Sequence, residues 1–147
     1  MGRIGIAIAA SEPDVVYAVI ESQKGGVFRS NDRGRTWTRQ SPTNQRASYY
    51  SQIRVDPNDA NRVWLLATNI FSSVDGGKTF VVDSVAQTHV HPDHHALWID
   101  PNDSRHMLLG NDGGFYVTYD RAQHWQYIDN LPISQFYNVA VDTRDPY

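Results

Sequence analysis

The densest group of side chains suited to chemistry lies at residues 88–95, which read T-H-V-H-P-D-H-H. Side chains two positions apart on an extended chain project to the same side, so His89, His91 and Asp93 are predicted to converge. An alternative ligand set replaces His89 with His95. Imidazole and carboxylate ligands of this kind suit zinc, nickel or copper. The segment therefore predicts a divalent metal site as one of its uses, and no other cofactor is expected.

The spacing H-x-H-x-D-H within this segment also resembles the metal-binding string of metallo-β-lactamase-type hydrolases. In those enzymes neutral imidazoles bind zinc, and a carboxylate binds a second metal or orients the attacking water. That superfamily also requires an αββα sandwich and further ligands on separate loops, whereas this chain offers only His106 and His124 beyond the cluster. A metal-dependent hydrolase is thus the third choice of function, and a polar loop leading into a strand is the simpler interpretation of the segment.

A turn signal follows in the sequence G-N-D-G-G at residues 110–114. Paired glycines after Asn-Asp predict a sharp turn with positive φ, which is the plain structural interpretation. The functional interpretation places Asp112 beside the histidines as an acid, a base or an ion ligand. A glycosidase needs two carboxylates across the bond that it cleaves. Asp93 and Asp112 are the pair predicted for that role, because most other aspartates belong to repeated turns.

Aromatic and polar residues near both segments predict a surface that holds a glycan or an extended peptide without catalysis. Aromatic rings have apolar faces and, in tyrosine and tryptophan, a polar group, which suits both ligands and equally suits packing inside a β-sheet core. The predicted ligand-contacting residues are Tyr49, Tyr50, His91, His94, His95, Trp98, Gln135 and Tyr137.

Three copies of one eight-residue motif indicate how these residues are positioned. The copies read S-N-D-R-G-R-T-W from residue 30, S-V-D-G-G-K-T-F from residue 73 and T-Y-D-R-A-Q-H-W from residue 118. Their aspartates lie 43 and then 45 residues apart, a period typical of four-stranded propeller blades. Each aspartate is predicted to accept backbone N–H groups across a tight hairpin turn. The structural residues of the motif are Ser30, Asp32, Gly34, Trp37, Ser73, Asp75, Gly77, Phe80, Asp120 and Trp125.

The third copy departs from the other two, because Ala122 stands where glycine is expected and His124 where threonine is expected. Glycine takes positive φ without the steric penalty that a Cβ atom brings. The third turn is therefore predicted to be strained or opened. Asp120 and Trp125 keep their spacing, so the copy still counts as a repeat.

Overlaying the copies predicts one pattern along the chain: strand, D-P-N-D-type turn, strand, short link, strand, motif, strand. The predicted fold class is all-β, a partial β-propeller whose blades each contain four antiparallel strands. Three blades are predicted at about residues 3–42, 48–84 and 94–129, and the first strand of a fourth blade at residues 135–142. Together they form a single partial propeller over residues 1–147.

The repeated motif resembles the Asp-box, the bacterial neuraminidase repeat found in sialidases, sortilin-type propellers and some endoglucanases. The order of Tyr49-Tyr50, H-P-D-H-H-A-L-W-I-D-P from residue 91, G-N-D-G-G from residue 110 and Q-F-Y-N-V-A-V-D from residue 135 further resembles a bacterial family of large propeller proteins. Members are usually described as glycosyl hydrolase or sortilin-like repeat proteins and are often exported. The resemblance implies boxes on the outer rim, away from the active centre, further repeats beyond this chain, and a periplasmic or extracellular location.

Composition excludes several other classes of function. Hydrophobic residues make up 40% of the chain and charged residues 20%, which is typical of a globular protein. The net charge of −3 provides no basic field for phosphates, so nucleic acid is not an expected partner. The absence of cysteine excludes disulfides and zinc–thiolate sites. No apolar run reaches the roughly 20 residues that a membrane-spanning helix requires.

The expected function is that of a glycan- or peptide-binding module, or of a scaffold, within a larger exported protein. The alternative is a glycoside hydrolase of the sialidase or endoglucanase type, although the cluster of three arginines that a sialidase needs is not evident. A closed propeller typically has four to eight blades. The expected macromolecular partners are therefore the remaining blades of a longer chain or a second copy of this one.

Overall fold

The computed structural model describes residues 2–46, 48–50, 52–83, 89–132, 140 and 144. These residues form twelve β-strands in three four-stranded antiparallel sheets, each ordered as in the chain. The first blade contains β1 (Ile4–Ile8), β2 (Val16–Ile20), β3 (Gly26–Ser30) and β4 (Thr38–Ser41). The second contains β5 (Gln52–Asp56), β6 (Asp59–Leu66), β7 (Ile70–Ser73) and β8 (Val81–Val82). The third contains β9 (His94–Ile99), β10 (Met107–Asn111), β11 (Gly114–Thr118) and β12 (Gln126–Ile128).

The predicted fold class, an all-β partial propeller, is confirmed by these sheets. The predicted pattern of four strands, with a turn, a link and the repeated motif between them, is present in all three sheets. In β6 pairing begins at Asp59, which is opposite Asp56 across the tight D-P-N-D turn. The strand predicted at residues 135–142 lies outside the described residues, apart from residue 140.

Two hydrophobic cores hold the blades together, one in each interface between consecutive blades. The side chains of β6 alternate between them: Val63 and Leu65 pack toward the first blade, and Trp64 and Leu66 pack toward the third. All four are at most 4% exposed. Burying an apolar side chain of this size contributes roughly 1.5–3 kcal/mol, so the second blade is stabilised from both sides.

Hydrogen bonds between blades add directional contacts to these cores. The Tyr17 hydroxyl donates to the Ala60 carbonyl oxygen at 2.7 Å, from the first blade to the second. The Asn58 side-chain amide donates to Ser104 Oγ at 2.9 Å, from the second blade to the third. Ser104 also donates to the carboxylate of Asp56, which is 1% exposed. The bonds of Ser104 to Asn58 and Asp56 fix the D-P-N-D turn of the second blade against that of the third.

One face of the first blade carries an exposed stripe formed by Ile4, Ile6 and Ile8, which are 47%, 63% and 63% exposed. The equivalent first-strand residues of the other blades include Ile53 and Leu97, which are 1% and 4% exposed and pack against the preceding blade. The isoleucine stripe therefore has the chemistry of a face between blades, which fits the presence of further blades elsewhere.

The alternating strand direction sorts the connections to two ends of the sheets. The turns between first and second strands and the repeated motifs lie at one end, which we term the box end. The backbone bonds Arg33 N to Asp14 O and Arg121 N to Arg105 O, 3.0 and 2.9 Å, join these two kinds of turn. The links between second and third strands, and the segments that lead into β5 and β9, lie at the other end, which we term the link end.

The repeated motifs close the hairpins at the box end with one set of hydrogen bonds. In the second motif Ser73 Oγ donates to Asp75 Oδ1 at 2.8 Å and accepts the Gly77 N–H at 2.9 Å. The Asp75 carboxylate also accepts the backbone N–H and the hydroxyl of Thr79. Ser30, Asp32, Gly34 and Thr36 repeat the pattern in the first motif. Hydrogen bonds from Thr36 and Ser30 lower the pKa of Asp32 to about 2, so this turn stays ionised and closed at neutral pH.

The third motif forms the same closed turn with different residues. Thr118 takes the place of serine and accepts the Ala122 N–H at 3.1 Å. His124 Nδ1 replaces the threonine hydroxyl and donates to Asp120 Oδ2 at 2.6 Å. The predicted strain is present in the backbone at Ala122, which has a φ of 68° where the other two motifs have glycine, because residues with a Cβ atom rarely occupy that region.

Replacing Ala122 with glycine is expected to relieve that strain and to raise the free energy of unfolding by about 1 kcal/mol. The matched reverse change is Gly34→Ala, because Gly34 holds the equivalent position with φ of 84° and a Cβ there would lie no closer than 3.4 Å to any neighbour. It should destabilise by a similar amount. Urea unfolding measures both variants, and a less stable Ala122→Gly protein would contradict the account.

Candidate functional site

The histidine-rich segment is a loop that enters β9. β9 begins only at His94, so His89, His91 and Asp93 do not lie on a strand, and the simpler interpretation of the segment, a polar loop leading into a strand, agrees with the structure. Pro92 has no N–H to donate to a strand neighbour, and Asp93 takes a φ of 66°, which turns the chain. The loop is anchored on the second blade, where the Asp93 N–H donates to the Thr68 carbonyl oxygen at 3.1 Å.

The geometry gives the predicted metal site no support. Among the residues that the structure describes, no three histidine, aspartate or glutamate side chains are grouped so as to hold a metal ion. The exposed His91 ring places Nδ1 2.9 Å from the Pro92 carbonyl oxygen, and the Asp93 carboxylate accepts a hydrogen bond from Tyr50. Metal binding by His89, His91 and Asp93 therefore stays a prediction.

The Tyr50–Asp93 pair links the segment that leads into β5 to the loop that leads into β9. The Tyr50 hydroxyl donates to the Asp93 carboxylate. This bond lowers the pKa of Asp93, while burial, together with the same bond, raises the pKa of Tyr50. At neutral pH Asp93 is thus a carboxylate and Tyr50 a neutral phenol. Asp93 is poorly suited to donate a proton, and Tyr50 is poorly suited to act as a nucleophile.

A β-bulge brings His95 close to Asp112, the second of the two carboxylates predicted for catalysis. The pairing of β9 with β10 passes from Ala96 opposite Gly110 to His94 opposite Asn111, which leaves His95 as the extra residue. His95 Nε2 lies 2.9 Å from Asp112 Oδ1, and both side chains are accessible, at 38% and 51% exposure.

The G-N-D-G-G segment forms the predicted turn and brings Asp112 close to Asp93. The Gly113 N–H donates to Asn111 Oδ1 at 2.9 Å, and the Asp112 N–H donates to the Asp93 carbonyl oxygen at 3.2 Å. A Cβ atom at Gly113 would lie 2.3 Å from His91 Cβ, so the turn packs against the histidine loop only because this residue is glycine. The two predicted carboxylates therefore belong to adjacent loops at the link end.

Aromatic rings lie between the Tyr50–Asp93 pair and the His95–Asp112 pair. The Tyr49 and Tyr50 rings meet edge to face with centroids 4.9 Å apart, and the His95 ring lies 5.9 and 5.5 Å from them. The Arg46 guanidinium lies 5.7 and 5.4 Å from the two tyrosine ring centroids, within cation–π range. Tyr49 is 56% exposed, whereas Tyr50 is buried beneath it, at 5% exposure. We term this surface the link-end patch, and its members are Arg46, Tyr49, Tyr50, Asp93, His95 and Asp112.

Other predicted ligand contacts lie elsewhere or are not described. His94 is buried, at 1% exposure. Trp98 packs against the ring of His106, which in turn stacks on Tyr119 at 4.8 Å, so Trp98 belongs to a different aromatic group. Gln135 and Tyr137 lie outside the described residues. Sequence reasoning missed Arg46, whose only signal was its position three residues before the paired tyrosines.

No family model and no curated protein matches the chain. Solved structures do match it in fold. The GH74 xyloglucanase from Xanthomonas campestris is 18% identical with a TM-score of 0.69, over 87% of this chain and 23% of that one. YCF48 from Cyanidioschyzon merolae is 20% identical with a TM-score of 0.58, over 83% of this chain and 35% of that one. A structure of YCF48 bound to D1 peptide is 16% identical with a TM-score of 0.51, over 85% and 38%.

These likenesses place the chain among the β-propellers. At such identities they show the fold alone. The chain spans less than two fifths of the length of each structure named above. No helix within the described residues has the length and apolar character to cross a membrane.

The buried His94 imidazole is expected to make stability depend on pH. Burial lowers its pKa to about 4 from an ordinary 6.5, so between pH 6.5 and 4 the unfolded chain binds more protons than the folded one. Stability contributed by neutral His94 is therefore complete above pH 6.5 and is lost as the pH falls toward 4, by at most about 3 kcal/mol.

Urea unfolding of the wild type and of His94→Gln at several pH values between 4 and 7 measures this contribution. The variant should show a shallower dependence of unfolding free energy on pH. His91→Gln, a change at an exposed position of the loop that precedes β9, should keep the wild-type dependence. Equal slopes for the wild type and His94→Gln would show that His94 is not the group responsible.

Proposed function

We propose that the chain is part of a β-propeller module that binds an extended ligand, a glycan or a peptide, at the link-end patch and performs no chemistry there. The observation that carries this proposal is the exposed Tyr49 ring beside the His95–Asp112 pair and the Arg46 guanidinium. An accessible aromatic face flanked by groups of both charges offers stacking together with donors and acceptors. Ligand surfaces commonly combine these features.

The state of the two carboxylates favours binding over hydrolysis. A glycosidase acid requires a raised pKa so that it holds a proton near neutral pH. The hydrogen bond from Tyr50 lowers the pKa of Asp93 instead, and Asp112 is engaged with His95. Both groups are arranged to accept hydrogen bonds from a ligand.

We further propose that the repeated motifs are Asp-boxes and that the chain belongs to the exported sortilin-like or glycosyl hydrolase repeat proteins of bacteria. The equivalent hydrogen bonds in the three box-end turns support this assignment. The named structures support both ligand classes in a propeller, since one is called a xyloglucanase and another is bound to a peptide. Further blades, from a longer chain or a second copy, would cover the isoleucine stripe.

Substituting Tyr49 with alanine tests the binding proposal. Loss of the exposed ring should weaken ligand binding by up to about tenfold, because a specific aromatic contact contributes roughly 0.5–1.5 kcal/mol beyond area burial. Arrays of glycans and of extended peptides identify ligands, and calorimetry measures their affinity. Tyr119→Ala removes a ring of similar exposure, 67%, at the box end and serves as the matched control. Equal losses in both variants would refute a role for the patch.

A glycoside hydrolase is the second candidate, because Asp93 and Asp112 lie on loops joined by a backbone hydrogen bond. If this activity exists, Asp93→Asn and Asp112→Asn should each lower kcat at least a hundredfold, since each would supply acid, base or nucleophile. Release of reducing sugar from a polysaccharide panel measures turnover, with Asp83→Asn as the control. The binding proposal expects no turnover in the wild type, and residual turnover equal in all variants would exclude this carboxylate pair.

A further inference from the structure

A polar cleft lies beside the link-end patch, at the same end of the first blade. It is a widely open depression of about 400 Å³. One glycine and six polar side chains line it: Glu21, Ser22, Gln23, Asn44, Arg46 and Ser48. None of these side chains is aliphatic or aromatic, so the cleft is suited to a ligand that is polar over its whole surface.

The cleft offers hydrogen-bond donors and acceptors together. Glu21 is held in place by the Arg3 N–H, which donates to its Oε2 at 2.9 Å. The Asn44 side-chain amide is held by donating to the Ile20 carbonyl oxygen at 2.7 Å. The Glu21 carboxylate and the Gln23 side-chain carbonyl supply acceptors. The guanidinium of Arg46 and the hydroxyls of Ser22 and Ser48 supply donors.

Arg46 connects this cleft to the link-end patch. Its side chain lines the cleft and also lies over the rings of Tyr49 and Tyr50. Arg3 fixes the Tyr49 backbone by donating from Nη1 to its carbonyl oxygen at 2.5 Å. The exposed Tyr49 ring thus stands between the cleft and the His95–Asp112 pair, and the three parts form one surface across the first three blades.

We infer that the ligand of this surface is a neutral oligosaccharide. One end of the oligosaccharide occupies the cleft, and the chain continues over Tyr49 to His95 and Asp112. This inference rests on the proposed binding function and names its ligand class. Sugar hydroxyls donate and accept, which matches the mixed lining, and a tyrosine ring suits the apolar face of a sugar.

A peptide fits the cleft less well. Peptides gain affinity and specificity when side chains enter pockets, commonly apolar ones, and this cleft has no apolar lining side chain. One carboxylate, Glu21, and one guanidinium, Arg46, balance each other, so the lining does not select an anionic ligand.

The test measures binding of the full chain to two sets of probes by array and then by calorimetry. The first set contains neutral hexasaccharides of glucose, mannose, galactose, xylose and N-acetylglucosamine, with a hexagalacturonate as the anionic comparison. The second set contains unstructured decapeptides of varied sequence. The expected result is binding of at least one neutral hexasaccharide and weaker or no binding of the hexagalacturonate and the peptides.

Gln23→Leu tests the cleft itself, because it removes one amide without changing the patch. It should weaken hexasaccharide binding about fivefold, as expected for a lost neutral hydrogen bond. Gln123→Leu makes the same chemical change on an exposed residue at the box end and should leave affinity unchanged. Circular dichroism of both variants checks that they fold alike.

The outcomes separate the inference from the proposed function. Binding of peptides alone, lost in Tyr49→Ala, would overturn the oligosaccharide and keep the patch as a binding site. Hexasaccharide binding that Gln23→Leu leaves intact would remove the cleft from the site. Absence of binding to every probe, or binding that Tyr49→Ala does not change, would overturn both the inference and the proposed function.

Discussion

Burial of both faces of each blade is the constraint on which the rest of this structure depends. A four-stranded sheet with apolar residues on both faces is stable only when each face is covered. In the second blade β6 meets this requirement by sending Val63 into one core and Trp64 into the other. The stacking of blades side by side follows from this pattern. As a result, the links lie at one end of the sheets and the repeated turns lie at the opposite end.

The box end and the link end differ in how far the fold restricts which residues can stand there. At the box end the side chains of the repeated motifs form the hydrogen bonds that close the hairpins. Asp32 and Asp75, for example, bind neighbouring serine and threonine residues. A ligand group there would have to replace bonds that hold the fold. At the link end Asp112 and Tyr49 are accessible and belong to segments outside the strands. Variation at that end changes the surface while the cores stay intact, which is why we propose the binding site there.

The fold was largely predictable from the sequence, and the site was predictable only in part. The period of the aspartates located the strands, because a motif that closes a hairpin fixes the strands on either side. It could not reveal contacts between blades. The Tyr50–Asp93 bond joins residues 43 positions apart, and the His95–Asp112 pair depends on a bulge that pattern alone does not indicate. The convergence of His89, His91 and Asp93 was argued for an extended segment, whereas Pro92 and Asp93 turn the chain, and metal binding there stays a prediction.

The partners of Asp93 and Asp112 in the link-end patch also bear on what kind of function this end of the propeller can support. Catalysis by two carboxylates requires environments that push their pKa values apart, so that one holds a proton while the other does not. Here Asp93 lies under a tyrosine hydroxyl that stabilises its charge, and Asp112 faces the imidazole of His95. The Tyr50 bond therefore disfavours a protonated Asp93. For this reason we propose a binding face here, in which carboxylate acceptors beside the exposed Tyr49 ring would match hydroxyl or amide donors of a ligand, rather than a hydrolase site.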